Sequence, residues 1–223
     1  MSSRDAILKR LRAGSSREAG NPPRVLTDEP LQEMPVEQKI ALFREKMGST
    51  RTEVHETSRK DWGQRLLALA AEKNAGNLLY AAEMALAADI ERAWFAAGDD
   101  SSAPELVRVD AISGNWKSEM FNRIDAAVTS CRAGIAATGS LVLWPDHREP
   151  RLMSLVPAVH FAVLDAEKLY TGFAHMLATE QWVRTGMPTN ALLISGPSKT
   201  ADIESTLAYG VHGPKQLVVL LLR

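Results

Sequence analysis

Residues 216–222 read QLVVLLL, and this run constrains the fold more than any other stretch of the 223-residue chain. Successive side chains of a strand point to opposite faces, so an unbroken apolar run fits a strand only where both faces are covered. That is the situation of a parallel sheet between two layers. Residues 191–195, ALLIS, form a shorter run of the same buried-strand type. Between them, residues 200–209 read as a helix that Gly210 ends. Strand, helix and strand in this order predict a βαβ unit with two parallel strands.

The rest of the chain alternates in the same manner. Helices are expected over 36–47, 59–73, 83–97, 116–124 and 166–183. Strands are expected at TRTEVHET, NLLYA, ELVRVD, AAVTS, SLVLW and VHFAVL. The predicted class is α/β, with a mainly parallel sheet flanked by helices. Residues 3–13 form a short helical stripe through Ile7, Leu8 and Leu11, and AGSSREAGNPPRV then interrupts regular structure. The organisation predicted is an N-terminal helix and irregular arm over 1–34 and a single α/β domain over 35–223.

Composition narrows the function classes. There are 26 basic and 27 acidic side chains, for a formal charge of −1. Nucleic-acid binding, which leaves a basic excess, is therefore not expected. A single cysteine, Cys131, rules out an internal disulfide and a four-cysteine iron–sulfur cluster. The five histidines, at 55, 147, 160, 175 and 212, show no metal-ligand spacing, so no metal is expected. With no secretory apolar core at the start and no run of about 20 apolar residues, neither export nor a membrane span is expected, and the cytoplasm is the predicted compartment.

Three stretches carry candidate site residues. In ISGPSKTADIE, Gly196 permits close backbone approach, Pro197 stiffens the turn, Ser198 and Thr200 offer hydroxyls, and Lys199 offers a positive charge. Following a strand and preceding a helix, they read either as an anion cradle or as a self-capped turn. Asp202, in the first turn of the expected helix, would compete with an anion. The stretch lacks the second glycine of a Walker loop and does not match GxGxxG. In YGVHGP, Gly213-Pro214 forces a turn, and His212 is expected on the sheet edge opposite the Lys199 loop, away from any ligand there. The third stretch runs from AGIAATGS into REPRLMSLVPAVH. Thr138, Gly139 and Ser140 allow close approach of a ligand or a neighbouring element, and Arg148, Arg151, Ser154 and His160 follow. Arg151 could fork onto a carboxylate or phosphate, or lie solvated on a surface hairpin. Cys131, with no CxxC partner, reads as a small buried hydrophobe.

The stretch ISGPSKTADIESTLAYGVHGPKQLVVLLL also resembles the C-terminal signature of the lactate utilization protein C branch of the lactate-utilization (LUD) domain family. Its fixed positions, Ser195 to Ser198, Thr200 to Glu204 and Gly210 to Pro214, are all present. AGIAATGS and RLMSLVP match two middle segments of that family more loosely, and Ala137 stands where many relatives carry a glutamate. The resemblance implies a fold like that of the sugar-phosphate isomerase and CoA-transferase-like superfamily, whose members bind phosphorylated or nucleotide ligands at loops beyond the sheet. It also implies a role in oxidising L-lactate to pyruvate alongside partner proteins that carry iron–sulfur clusters. The chain itself shows no flavin or nicotinamide fingerprint. The function expected is that of a non-redox ligand-binding or regulatory subunit, with no cofactor of its own and a small anion as ligand. The alternative is a stand-alone transferase or isomerase that uses CoA, a phosphate or a nucleotide.

Overall fold

The structure, a computed structural model, describes residues 4–5, 7–9, 33–98, 100–111, 116–201, 207–210 and 212–223. The chain divides into two compact units, Met1–Leu31 and Gln32–Arg223. In the first, the described residues 4–5 and 7–9 are helical.

A helix, α1 (Val36–Ser49), leads into β1 (Glu53–Thr57), followed by α2 (Trp62–Glu72), β2 (Asn77–Tyr80), α3 (Ala87–Ala97) and β3 (Glu105–Arg108). Then come α4 (Trp116–Asn122), β4 (Ala126–Ser130), β5 (Ala133–Ile135), β6 (Ser140–Leu143), β7 (Val159–Asp165) and β8 (Leu169–Tyr170). The chain continues through α5 (Phe173–Glu180), α6 (Trp182–Thr185), β9 (Leu192–Ile194), β10 (Lys199–Ala201), β11 (Leu207–Tyr209) and β12 (Gln216–Leu222). Six of the strands form one sheet in the order β1-β12-β7-β4-β2-β3, and every neighbouring pair in it is parallel. The α/β class with a mainly parallel sheet is therefore what the chain adopts.

The apolar run at the end becomes β12, second from the edge between β1 and β7. Val218, Leu220 and Leu222 face one core, beside Phe161 and Val163 of β7 and Trp62, Leu66 and Leu69 of α2. Leu217, Val219 and Leu221 face the other, beside Ala162 and Leu164 of β7 and Ile40, Phe43 and Met47 of α1. Both faces are dry, which is why the strand carries no polar alternation. Burying each such aliphatic side chain contributes about 1.5–3 kcal/mol. In α1 the buried Ile40, Phe43 and Met47 follow the helical stripe, and Glu37 and Lys46 complement the dipole at its two ends.

A second sheet, β8-β5-β6-β9, shares the α1 layer. Leu141 and Leu143 of β6 point into the core beneath α1. On its other face Val142, with Ala133 and Ile135 of β5, meets Met176 of α5 and Trp182 of α6. Here too an apolar strand, SLVLW, is covered twice.

Three expectations are corrected. The described residues of the helix expected over 200–209 are strands instead: Lys199–Ala201 and Leu207–Tyr209 pair antiparallel, Lys199 opposite Tyr209 and Ala201 opposite Leu207, while 202–206 lie outside the described residues. Cross-strand pairing overrides the local helical pattern. The βαβ unit falls with it, because β9 pairs antiparallel with β6 in the second sheet whereas β12 lies in the first. The expected helix over 166–183 is broken as well. A 3₁₀ turn over Ala166–Lys168 is capped by Asp165, which accepts from the Glu167 N–H; Leu169 and Tyr170 then pair with Gly134 and Ile135, and only after Gly172 does α5 begin. The helix expected over 83–97 starts at Ala87, after a run of turns. No helix among the described residues is long and apolar enough to cross a membrane.

Candidate functional site

In a parallel sheet, the strand whose successor turns the other way opens a crevice at its carboxyl end. Here β2 connects to β3 on one side, and β4 connects to β7 on the other. At that end a crevice of about 930 Å³ is lined by residues that follow five of the strands. Arg59 follows β1, Glu83 follows β2, Ser130 and Arg132 lie at the end of β4, Asp165 ends β7 and Leu222 ends β12.

The crevice is polar and internally paired. Glu149 accepts from the backbone N–H of Ser130 at 2.7 Å and from its hydroxyl at 2.6 Å, holding a carboxylate at the tip of β4. Asp146 accepts from the N–H groups of Glu149 and Arg148, which hold its carboxyl below the ordinary aspartate value. Arg59 pairs with Asp165. Arg148 lies 3.5 Å from Glu83. Arg132 and Lys168 both reach Glu180, which also accepts from the Tyr170 hydroxyl at 2.7 Å. Burial opposes the charge on Glu180, yet these donors and cations outweigh it and hold the carboxyl below its ordinary value. The Arg132 guanidinium also stands 4.9 Å over the ring of Trp144, which packs on Trp182. The four cations of the lining thus each face a carboxylate. An anionic ligand would exchange for these acids rather than meet bare positive charge. Cys131 lines the crevice half-buried; burial and the Glu149 carboxylate push its thiol up, away from thiolate chemistry.

Of the sequence-predicted residues, Arg148 lines this crevice, and several others collect at the amino end of the same sheet. A cavity of about 210 Å³ is lined by Gly196, Ser198, His212 and Gly213, with Ser154, His160 and the start of β12 at Leu217. The expectation that His212 lies on the edge opposite the Lys199 loop is therefore corrected. Ser198 and Gly210 are bridged directly: the Gly210 N–H donates to the Ser198 carbonyl at 2.9 Å, and the Ser198 N–H to the Pro214 carbonyl at 2.8 Å. A Cβ on Gly213 would stand 3.1 Å from the Ser198 Cβ. Gly196 is pressed on α1's end, where a Cβ would lie 2.8 Å from that of Thr50. Lys199 is exposed and outside the cavity lining, and Pro197 is half-buried. Thr200 pairs with Ala208 in the hairpin. Asp202 and Glu204 lie outside the described residues.

Neither cavity includes Thr138, Gly139 or Ser140. The hydroxyls of Thr138 and Ser140 lie 2.8 Å apart, and that of Ser140 lies 2.7 Å from the Ser195 hydroxyl, tying the β5–β6 turn to the end of β9. Gly139 makes its close approach to helix α1, not to an open space. Arg151 is exposed at the start of a 3₁₀ turn, Arg151–Ser154, rather than on a hairpin, and only Ser154 of that turn reaches the small cavity. Sequence reading passed over Ser130, Glu149, Arg132 and Asp165. The available signal was their position just past strand ends, which depends on knowing the strand order.

His160 sits fully buried in the small cavity's wall. Its Nε2 lies 2.8 Å from the Thr129 hydroxyl, and burial lowers its pKa from 6.5 to about 3. A depressed histidine pKa means that folding favours the neutral ring. Its contribution to stability is complete above pH 6.5 and is lost as pH falls from there towards 3. Imidazole ¹⁵N spectra of the protein, assigned with a His160→Gln variant, should show this ring neutral from pH 8 down to the acid-unfolding transition. A ring that protonates near pH 6.5 in the folded protein would overturn the prediction.

The fold is that of an α/β protein with a crevice at a topological switch point. Comparison with known proteins then gives the family. The LUD domain model matches residues 40–222, and the chain belongs to that family. A protein of Neisseria meningitidis serogroup B, uncharacterized protein NMB1437, is 42% identical over 176 residues, covering 79% of this chain and 73% of the relative. Lactate utilization protein C of Deinococcus radiodurans is 37% identical over 106 residues, 46% of this chain and 48% of the relative. That of Macrococcus caseolyticus is 31% identical over 120 residues, 52% of each chain. The matched region thus spans about half the length of these two lactate utilization proteins. The crystal structure of a DUF162 family protein from Deinococcus radiodurans shares the fold, with a TM-score of 0.61 and 19% identity over 85% of this chain and 99% of that one.

Proposed function

We propose that this chain is a non-redox, ligand-binding component of a cytoplasmic system that oxidises L-lactate to pyruvate, acting beside partner proteins that carry iron–sulfur clusters. The observation that carries this reading is the similarity to proteins named lactate utilization protein C, within a family match that spans the whole α/β core. Two features agree with it. One cysteine cannot supply the four thiolates of an all-cysteine cluster, so electrons would pass through a partner. The crevice at the switch point offers four cations, which an anionic ligand would reach by displacing the carboxylates paired with them.

Deleting the gene should abolish growth on L-lactate and leave growth on pyruvate unchanged. Undiminished growth on lactate, in a strain without a paralogue, would overturn the proposal.

The size of the crevice favours one second reading. A space of about 930 Å³ suits a ligand much larger than lactate, as a CoA-, phosphate- or nucleotide-dependent transferase or isomerase of the CoA-transferase-like superfamily would need. Calorimetry with CoA, acyl-CoA, ATP and sugar phosphates separates the two: binding of one of these with normal growth of the deletion strain on lactate would favour the enzyme.

A further inference from the structure

The small cavity at the amino end of the sheet is a built pocket that the crevice does not explain. Its wall places His160 and Leu217 at the starts of β7 and β12, whereas the crevice touches Asp165 and Leu222 at their ends. Five strand residues at roughly 3.3 Å each separate the two by about 16 Å. A compact molecule cannot occupy both.

Two observations point to a ligand. The Nδ1 of His160 is buried and has no hydrogen-bond partner among the described residues. Leaving such a group unpaired is costly, and in native structures it is usually satisfied by something bound. His160 is part of the cavity lining, and the cavity volume of about 210 Å³ exceeds what one water needs.

The lining then specifies the chemistry. Ser198 contributes a hydroxyl, and His160 and His212 contribute imidazoles. Ile194, Leu155 and Leu217 supply an apolar wall. Among the described residues the lining contains no aspartate, glutamate, lysine or arginine. The Thr129 hydroxyl lies 2.8 Å from Nε2; in the tautomer that carries the proton on Nδ1, the hydroxyl donates to Nε2 and His160 is a second neutral donor. Neutral donors without a competing carboxylate suit one delocalised negative charge, and the apolar wall suits a short carbon chain. The absence of a full cation disfavours phosphate, whose charge at neutral pH is higher. His212, exposed at the mouth, marks the route in.

We propose that the cavity formed by Ser154, His160, Gly196, Ser198, His212 and Gly213 is a binding site for a short-chain monocarboxylate, separate from the crevice. The choice of L-lactate and pyruvate as first probes rests on the proposed role in lactate use; the cavity argument does not.

The full chain, labelled with ¹⁵N-histidine, would be titrated with acetate, propionate, L-lactate, pyruvate, phosphate and chloride. The expected result is a saturable shift of the His160 imidazole with at least one monocarboxylate and none with chloride. Ser198→Ala should weaken that carboxylate about tenfold. His212→Ala, at the exposed mouth, serves as a second variant if Ser198→Ala fails to fold, and it should weaken binding as well. No saturable shift with any monocarboxylate, or the same shift with chloride, would overturn the proposal by leaving water as the only occupant. Preference for phosphate would overturn it too. The two readings fail separately. Binding of propionate but neither lactate nor pyruvate would uphold the cavity and count against the lactate role. A deletion strain that cannot use lactate, with no carboxylate bound, would do the reverse.

Discussion

Gly139→Ala is expected to destabilise the protein by about 2–6 kcal/mol, and to do so without touching either cavity. Two costs combine. The residue sits at φ +58°, where an L side chain is strained by about 1–3 kcal/mol. The added Cβ would also stand 2.5 Å from the Lys46 Cβ and 3.1 Å from the backbone of Lys46 and Met47. Overpacking of this kind costs about 1–3 kcal/mol more, and helix backbone cannot step aside as a side-chain tip would. In a chain of this size, a loss of about 3 kcal/mol lowers Tm by roughly 6–12 °C. Urea unfolding of the variant measures it. A change below about 0.5 kcal/mol, the range of ordinary surface substitutions, would show that the turn is not pressed on α1, and the ligand-facing role of the AGIAATGS segment would return.

Leu220→Ala tests the opposite face of the sheet. Leu220 is fully buried in β12, between Val163 of β7 and His55 of β1 in the register, and packs in the core beneath α2. Leucine truncations at such sites cost about 3–5 kcal/mol, the removed methyl groups and the residual cavity both contributing. Because Gly139 contacts α1 and Leu220 belongs to the core on the other side, the double variant should show the sum of the two losses to within about 0.5 kcal/mol. Strong non-additivity would mean that the two layers do not act as separate cores across the sheet.

Much of the fold was legible because it rests on local pattern. The run QLVVLLL demanded a strand covered on both sides, and the alternation of strands and helices from residue 36 onward demanded an α/β protein. Helices α1 and α2 follow from their apolar stripes. The individual members of the small cavity were legible as well: Gly196, Ser198, Ser154, His160, His212 and Gly213 were all singled out by residue type and spacing. Their meeting was not. It depends on the antiparallel pairing of Lys199–Ala201 with Leu207–Tyr209, in a stretch whose apolar spacing reads as helix.

By itself, then, the sequence determined which segments must be buried, on which faces, and which small and polar residues punctuate them, since these follow from side-chain chemistry at fixed backbone periods. Only the tertiary structure decided that β9 leaves the main sheet, that the two C-terminal motifs share one cavity, and that Ser130, Glu149, Arg59 and Asp165 converge on the carboxyl edge. Strand order is set by the packing of elements far apart in the chain, and no residue near Ser130 encodes which strand lies beside it.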